Sequence, residues 1–268
     1  MVDRAALLTS LVDDLGAEHA DLDGVVAGLA PDRWDEMTPA TPWTVRDQIS
    51  HLAFFDEQGS LAAADPQGFL ESLAPVSDAD AFMNEPLEKG RSLAVSQLLA
   101  WWRDARTNMI RGFRALDPAA RVPWFGPPMS PASFISARLM ETWAHGQDIA
   151  DAVGSERVPT KRLKHVAHLG VRARAFSYSA HGLSVPDGGV SVELAAPGGD
   201  VWRWDVGSSD SVAGSALGFC LAVTQRRHIG DTDLVITGPR AEEWMSIAQA
   251  FAGPPGDGRR PGQFTGKD

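Results

Sequence analysis

The sequence predicts an N-terminal helical bundle joined to a smaller α+β domain. Three observations carry that expectation. Up to Gly154, apolar residues recur at intervals of three and four, in segments separated by prolines and turn residues. Past Gly154, short alternating runs such as Val190, Val192 and Leu194 take over. The 268 residues also exceed the usual length of one domain, so one large or two modest domains are expected.

The first half reads as four helices. Leu7, Leu8, Leu11, Val12, Leu15, Leu22, Val25, Val26 and Leu29 mark the first, and Pro31 closes it. Thr44 has the form of an N-cap with Asp47 at N3, a near-match to a capping box, and the helix it opens carries His51 in its second turn. The stretch from Asp65 to Lys89 holds three prolines and reads as irregular, a functional loop or a short extra helix. A third helix is expected over about Arg91 to Leu116, with Leu98, Trp102, Ala105, Met109 and Phe113 along one side and Asp117-Pro118 ending it. Ser130-Pro131 then fits an N-cap followed by an N1 proline. The fourth helix runs to Val153 and stops at Gly154, a natural C′ residue. Four such helices favour an antiparallel, up-down bundle, in which sites form from the inward side chains of facing helices.

The second half is expected to begin with a helix of about Thr160 to His181. Val190 to Leu194 and Val201 to Trp204 form a hairpin around Pro197-Gly198-Gly199-Asp200. An apolar helix of about Val212 to Gln225, a strand over Leu234 to Thr237 and a helix over Ala241 to Phe251 follow. Together they describe an α+β unit on a small, mostly antiparallel sheet. The tail from Gly253 to Asp268, rich in Gly, Pro and charge, reads as extended. The expected divisions are 1–154, 155–252 and 253–268.

Composition narrows the function classes. Apolar residues make up 44% and charged residues 22%, which is ordinary for a globular chain. The net charge of −11, with no long Lys/Arg block, argues against nucleic acid and anionic membrane as partners. Cys220 is the single cysteine, which rules out an internal disulfide framework and any Cys-rich metal site. It lies in the apolar run Leu217 to Val223 and reads as a small buried hydrophobe. Met1 to Leu15 has neither a basic start nor an unbroken apolar run. No stretch approaches the roughly 18–20 apolar residues of a membrane span, so the cytoplasm is the expected location. Nothing signals an oligomeric state.

The chemistry concentrates in the fourth helix, at Glu141-Thr142-Trp143-Ala144-His145-Gly146-Gln147-Asp148. Glu141 and His145 are four apart, so both side chains rise from one helical face, one turn from each other. A carboxylate and an imidazole so placed can chelate one ion. A third ligand must come from another helix, and His51 is the leading candidate; a His₂Glu set leaves a fourth position open, as catalytic zinc requires. The spacing alone serves equally well for a solvated ion pair or a core hydrogen bond, and any of the seven histidines could be structural. Asp148, three residues further on, is either a group that orients a ligand or holds substrate, or a helix-surface carboxylate. Asp56 falls on the inward side of the second helix and, if buried, needs a partner.

Two stretches are similar to a known family. Thr41-Pro42-Trp43-Thr44-Val45-Arg46-Asp47-Gln48-Ile49-Ser50-His51-Leu52-Ala53 resembles the second-helix signature of the mycothiol-dependent maleylpyruvate isomerase family, part of the larger DinB-like group of metal-binding four-helix proteins. Glu141 to Gly154 resembles its fourth-helix signature. The resemblance implies a DinB-like bundle whose ligands are His51, Glu141 and His145, with zinc the usual ion and nickel or iron(II) as alternatives. It further implies a C-terminal domain whose last-but-one helix, resembled here by Gly214 to Arg226, ends in an arginine facing the cleft; Arg226 is the matching position. The hairpin tryptophans and the tail look closer to an actinobacterial branch that shares the two-domain plan.

What this implies is thiol-dependent chemistry on a small-molecule substrate. A metal-bound thiol is held as thiolate at neutral pH. In an isomerase the thiolate adds to an activated double bond, rotation follows, and elimination returns the other geometric isomer; a transferase keeps the adduct. An arginine fork would grip a substrate carboxylate. With a single cysteine in the chain, the thiol must come from a cofactor such as mycothiol. Two other readings stand beside it: a zinc hydrolase using metal-bound water with Asp148 as base, and a non-catalytic metal- or ligand-binding protein.

Overall fold

Asp3 caps the first helix with its side chain, accepting from the amides of Ala5 and Ala6, and α1 runs over Arg4–Val26. The computed structural model describes residues 3–74, 79–256 and 258–264. A 3₁₀ turn at Pro31–Asp35 leads to α2, Val45–Ala64. Thr44 and Asp47 close a full capping box there: the Thr44 hydroxyl accepts from the Asp47 amide, and the Asp47 carboxylate accepts from the Thr44 amide. That buried carboxylate also receives two bonds from Arg91, at 2.8 and 3.0 Å, which joins the start of α2 to a later helix.

The expectation of an irregular stretch from Asp65 to Lys89 is corrected. Pro66–Leu73 forms α3, capped by Asp65, and Ala79–Ser92 forms α4; positions 75–78 lie outside the described residues. The sequence obscured α4 because Pro86 sits inside it, where a proline normally argues against a helix. Arg91 and Ser92 therefore belong to α4, and the next helix, α5, begins later than expected and spans Val95–Ala115. Helix α6 spans Pro131–Val153 with the expected ends: Ser130 accepts from the Ser133 amide, and Gly154 adopts the left-handed conformation, with φ of 66°. In this mostly helical unit, Met1–Arg157, α2 packs on α4, α5 and α6, and α1 packs on α5 and α6. Leu22, Trp34, Ile49, Leu52, Leu98, Trp102 and Ile149 fill the space between them.

Helices α2 and α4 approach so closely at Gly90 that an added Cβ would lie 1.7 Å from Ser50 Oγ and 2.7 Å from Ser50 Cβ. Ser50 has no long flexible end to swing aside, and Arg46 ties the same spot by donating to the carbonyls of Gly90 and Leu93. Gly90→Ala is therefore expected to push the helices apart and destabilise the protein by about 1–3 kcal/mol, the usual cost of overpacking. Urea denaturation checks it.

The second unit, Val158–Asp268, opens with α7 (Leu163–Arg172) and α8 (Arg174–Ala180). One helix over Thr160 to His181 was expected. Ala173 breaks it at φ −79° and ψ 0°, with no Pro or Gly at the break itself. The hairpin forms as β1 (Ser191–Ala195) and β2 (Val201–Trp204), with Leu194 opposite Trp202. The apolar helix expected from Val212 divides instead into a strand, β3 (Ser211–Ser215), and a short helix, α9 (Ala216–Val223). Gly214, at φ of 150°, and Ser215, which caps α9 by accepting from the Gly218 amide, mark the change of direction. Strand β4 covers Val235–Thr237, and α10 covers Pro239–Ser246, ending well before Phe251. The sheet order is β2-β1-β3-β4, with β1 and β3 parallel and the outer pairs antiparallel. Of the expected tail, positions 257 and 265–268 lie outside the described residues. Among the described residues, no helix is long and apolar enough to cross a membrane.

Candidate metal centre

Helices α2 and α6 face each other with His51 on one and Glu141 and His145 on the other. Each residue offers one ligand atom, and these three atoms lie within 4.8 Å of one another. Glu141 Oε2 stands 3.1 Å from His145 Nε2 and 3.9 Å from His51 Nε2. Ligands about 2.1 Å from a tetrahedral ion stand roughly 3.4 Å apart, so this spacing suits one ion with small side-chain rotations. The two histidines are 9% and 8% exposed while Glu141 is half-buried, so the cluster is sheltered but reachable from solvent. Trp43 covers it: its ring stacks on His145 at 5.7 Å and 14°, and lies 5.0 Å from His51. Phe55, one turn beyond His51, packs its ring 4.6 Å from that of His51.

The electrostatics favour an ionised carboxylate. Burial alone pushes the Glu141 carboxyl up, but the His145 hydrogen bond and the charges of His145, His51 and Arg138 bring it down to about 2. A chain of hydrogen bonds assigns the tautomer of His145. Thr38 Oγ1 donates to the Trp43 carbonyl at 2.7 Å, so it accepts from Gln48 Nε2 at 2.9 Å. The other end of that amide, Gln48 Oε1, is left to accept from His145 Nδ1. With Nδ1 donating to Gln48, Nε2 is the atom that His145 turns toward Glu141 Oε2, where it either donates a proton to the carboxylate or ligates an ion with it. Two acceptors at that distance need a proton or a cation between them. The three side chains therefore fit a divalent ion in geometry, charge and donor type.

Asp148 lies one turn past His145 on α6 and is fully buried. Asp56 is fully buried too, and its partners are now visible. Arg138 donates to Oδ1 from Nε and Nη2, at 3.1 and 2.9 Å, and His19 Nε2 faces Oδ2 at 3.5 Å. Arg226 lies in the second unit, half-buried just after α9, where its Nη1 donates to the Thr224 carbonyl at 2.6 Å. Cys220 is buried against the Leu163 carbonyl, and burial pushes its thiol far above the ordinary range.

Sequence reasoning did not single out Thr38, Gln48, His19 or Arg138. Gln48 precedes His51 by three residues and Arg138 precedes Glu141 by three, so each shares a helical face with a site residue. That spacing was the available signal.

Residues 15–150, just over half of the chain, match the family model described as the mycothiol maleylpyruvate isomerase N-terminal domain. Two uncharacterized proteins of Mycobacterium tuberculosis are each 44% identical over 252 residues, covering 92% of this chain and 97% of theirs. Crystal structures of mycothiol-dependent maleylpyruvate isomerase and of a histidine-to-alanine mutant of it share the fold. The TM-scores are 0.59 and 0.61 at 15% and 14% identity, over 90% of this chain and 98% of those chains. On the match that spans α2 and α6, the chain belongs to the mycothiol maleylpyruvate isomerase N-terminal domain family.

Proposed function

We propose that this protein is a divalent-metal-dependent enzyme, zinc being the expected ion, that uses a low-molecular-weight thiol such as mycothiol to isomerise or conjugate a small substrate in the cytoplasm. The observation that carries this reading is the convergence of His51, Glu141 and His145, whose ligand atoms lie within 4.8 Å of one another, with His145 Nε2 turned to the Glu141 carboxylate. In this reading α1, α2, α5 and α6 form the DinB-like four-helix scaffold, and those three side chains are the metal ligands. A divalent ion there supplies a Lewis acid that holds a thiol as thiolate at neutral pH.

The chain's own residues do the rest. Glu141, ionised at any physiological pH, offsets part of the ion's charge; His51 and His145 fix its position from two helices. Trp43 and Phe55 flank the imidazoles and limit water beside them. The chain's cysteine is buried and held protonated, so the nucleophilic thiol comes from outside. Asp148, buried one turn past His145 on α6, serves as an orienting or proton-holding group.

The test replaces the native ion with cobalt(II) and titrates the protein with mycothiol. Direct thiolate ligation produces a new near-ultraviolet charge-transfer band that saturates at one thiol per ion. A cobalt spectrum unmoved by thiol, together with turnover of an ester or amide probe without any thiol, would instead identify a hydrolase.

A further inference from the structure

Three residues that precede His51, namely Thr38, Trp43 and Gln48, hold the His145 ring. We infer that Gln48 is a positioning residue that locks His145 with a proton on Nδ1 and its Nε2 toward Glu141, and that its neutrality preserves positive charge at the site for an anionic ligand. This rests on the metal reading above.

Gln48 is fully buried on α2, so its amide must satisfy both ends inside the protein. A glutamine amide by itself can turn either end to an imidazole, because its oxygen and nitrogen are nearly interchangeable in shape. Thr38 removes that freedom. Its hydroxyl proton is committed to the Trp43 carbonyl, which also accepts from the Thr38 amide at 2.9 Å. Thr38 Oγ1 is then an acceptor, so Gln48 Nε2 points to it and Gln48 Oε1 points to His145. The same Trp43 stacks its ring nearly parallel to His145. One residue thus fixes the imidazole's plane by its ring and the imidazole's Nδ1 proton by its carbonyl, three hydrogen bonds away.

Charge gives the arrangement a second consequence. Ligating histidines commonly donate their outer N–H to a carboxylate, a carbonyl or water. A carboxylate at this position would add a second negative charge beside Glu141. The amide does not, so two neutral imidazoles and one carboxylate leave a divalent ion with a net charge of +1 and a preference for an anionic fourth ligand.

The experiment has two arms. In metal-free protein labelled with ¹⁵N-histidine, His145 Nδ1 should stay protonated, whether or not Nε2 carries a second proton toward Glu141. Gln48→Leu should abolish that preference, and Thr38→Val should weaken it. A wild-type Nδ1 that carries no proton overturns the inference whatever the metal does. In the cobalt arm, Gln48→Leu should weaken metal binding roughly 10- to 100-fold, as loss of an outer partner does. Gln48→Glu keeps the acceptor, so it should bind cobalt at least as tightly as wild type but bind thiolate roughly tenfold or more weakly. Gln48→Glu that loses cobalt as Gln48→Leu does, or that keeps wild-type thiolate affinity, overturns the corresponding half. Failure of wild-type protein to bind cobalt at all would overturn the metal reading, leaving the tautomer arm to decide the role of Gln48. Should Gln48→Leu fail to fold, the Gln48→Glu comparison still decides.

Discussion

Purified wild-type protein is expected to hold close to one equivalent of divalent metal, and His51→Ala or His145→Ala to hold almost none after dialysis. The proposed site has three protein ligands and one open position, so each variant leaves two. Disturbing an outer partner of a ligand already costs roughly 10- to 100-fold in affinity, and removal of the ligand itself exceeds that. The two histidines come from α2 and α6, and neither has a neighbouring imidazole in its own helix to replace it. Glu141→Gln keeps an oxygen but loses the charge, so an intermediate loss is expected. His228→Ala, in the second unit, should leave metal content unchanged. Elemental analysis of the four variants decides the matter, and undiminished metal in both histidine variants would refute the ligand assignment.

These three side chains were legible because local rules place two of them and the family signatures point to the third. Glu141 and His145 share a face by helical spacing alone, and the ends of α6 were readable from Ser130, Pro131 and Gly154, each of which acts within one turn of its own position. Legibility fails where a partner is distant in sequence. The bond from Gln48 to His145 spans 97 residues and that from Asp56 to Arg138 spans 82, and no periodicity encodes either. In the second unit the failure is different. Val212 to Val223 is one apolar run, which suits a buried strand and a buried helix alike. The turn from β3 into α9 is written in Gly214 and Ser215, and an unbroken reading of the hydrophobic run passes over them. Pro86 misled in the opposite sense, since a helix tolerates it at the cost of one backbone bond.

Asp56→Ala should destabilise the protein by about 3–5 kcal/mol without contacting the metal ligands, because it strands a buried charge. Arg138 is 4% exposed and donates to Asp56 Oδ1 from both Nε and Nη2. Its removal in Arg138→Met should cost less when combined with Asp56→Leu than either change alone, since an apolar pair leaves no unmatched charge between α2 and α6. The same pair sets a pH signature. Burial pushes the Asp56 carboxyl up, but the charge of Arg138, the neighbouring His19 and the Arg138 hydrogen bonds outweigh it and hold the group below its ordinary range. A folded-state value depressed below the unfolded one, about 3.9, means that the stabilisation is fully present above that pH. It is lost as pH falls further, through the folded value. Urea midpoints measured from neutral pH downward should therefore show an acid limb that begins below about pH 4 in wild type. In Asp56→Asn that limb should be shallower and start from a lower plateau. An unchanged acid limb in Asp56→Asn would show that the carboxylate is not held ionised by Arg138, and would remove the pair from the account of how α2 and α6 are clamped around the site.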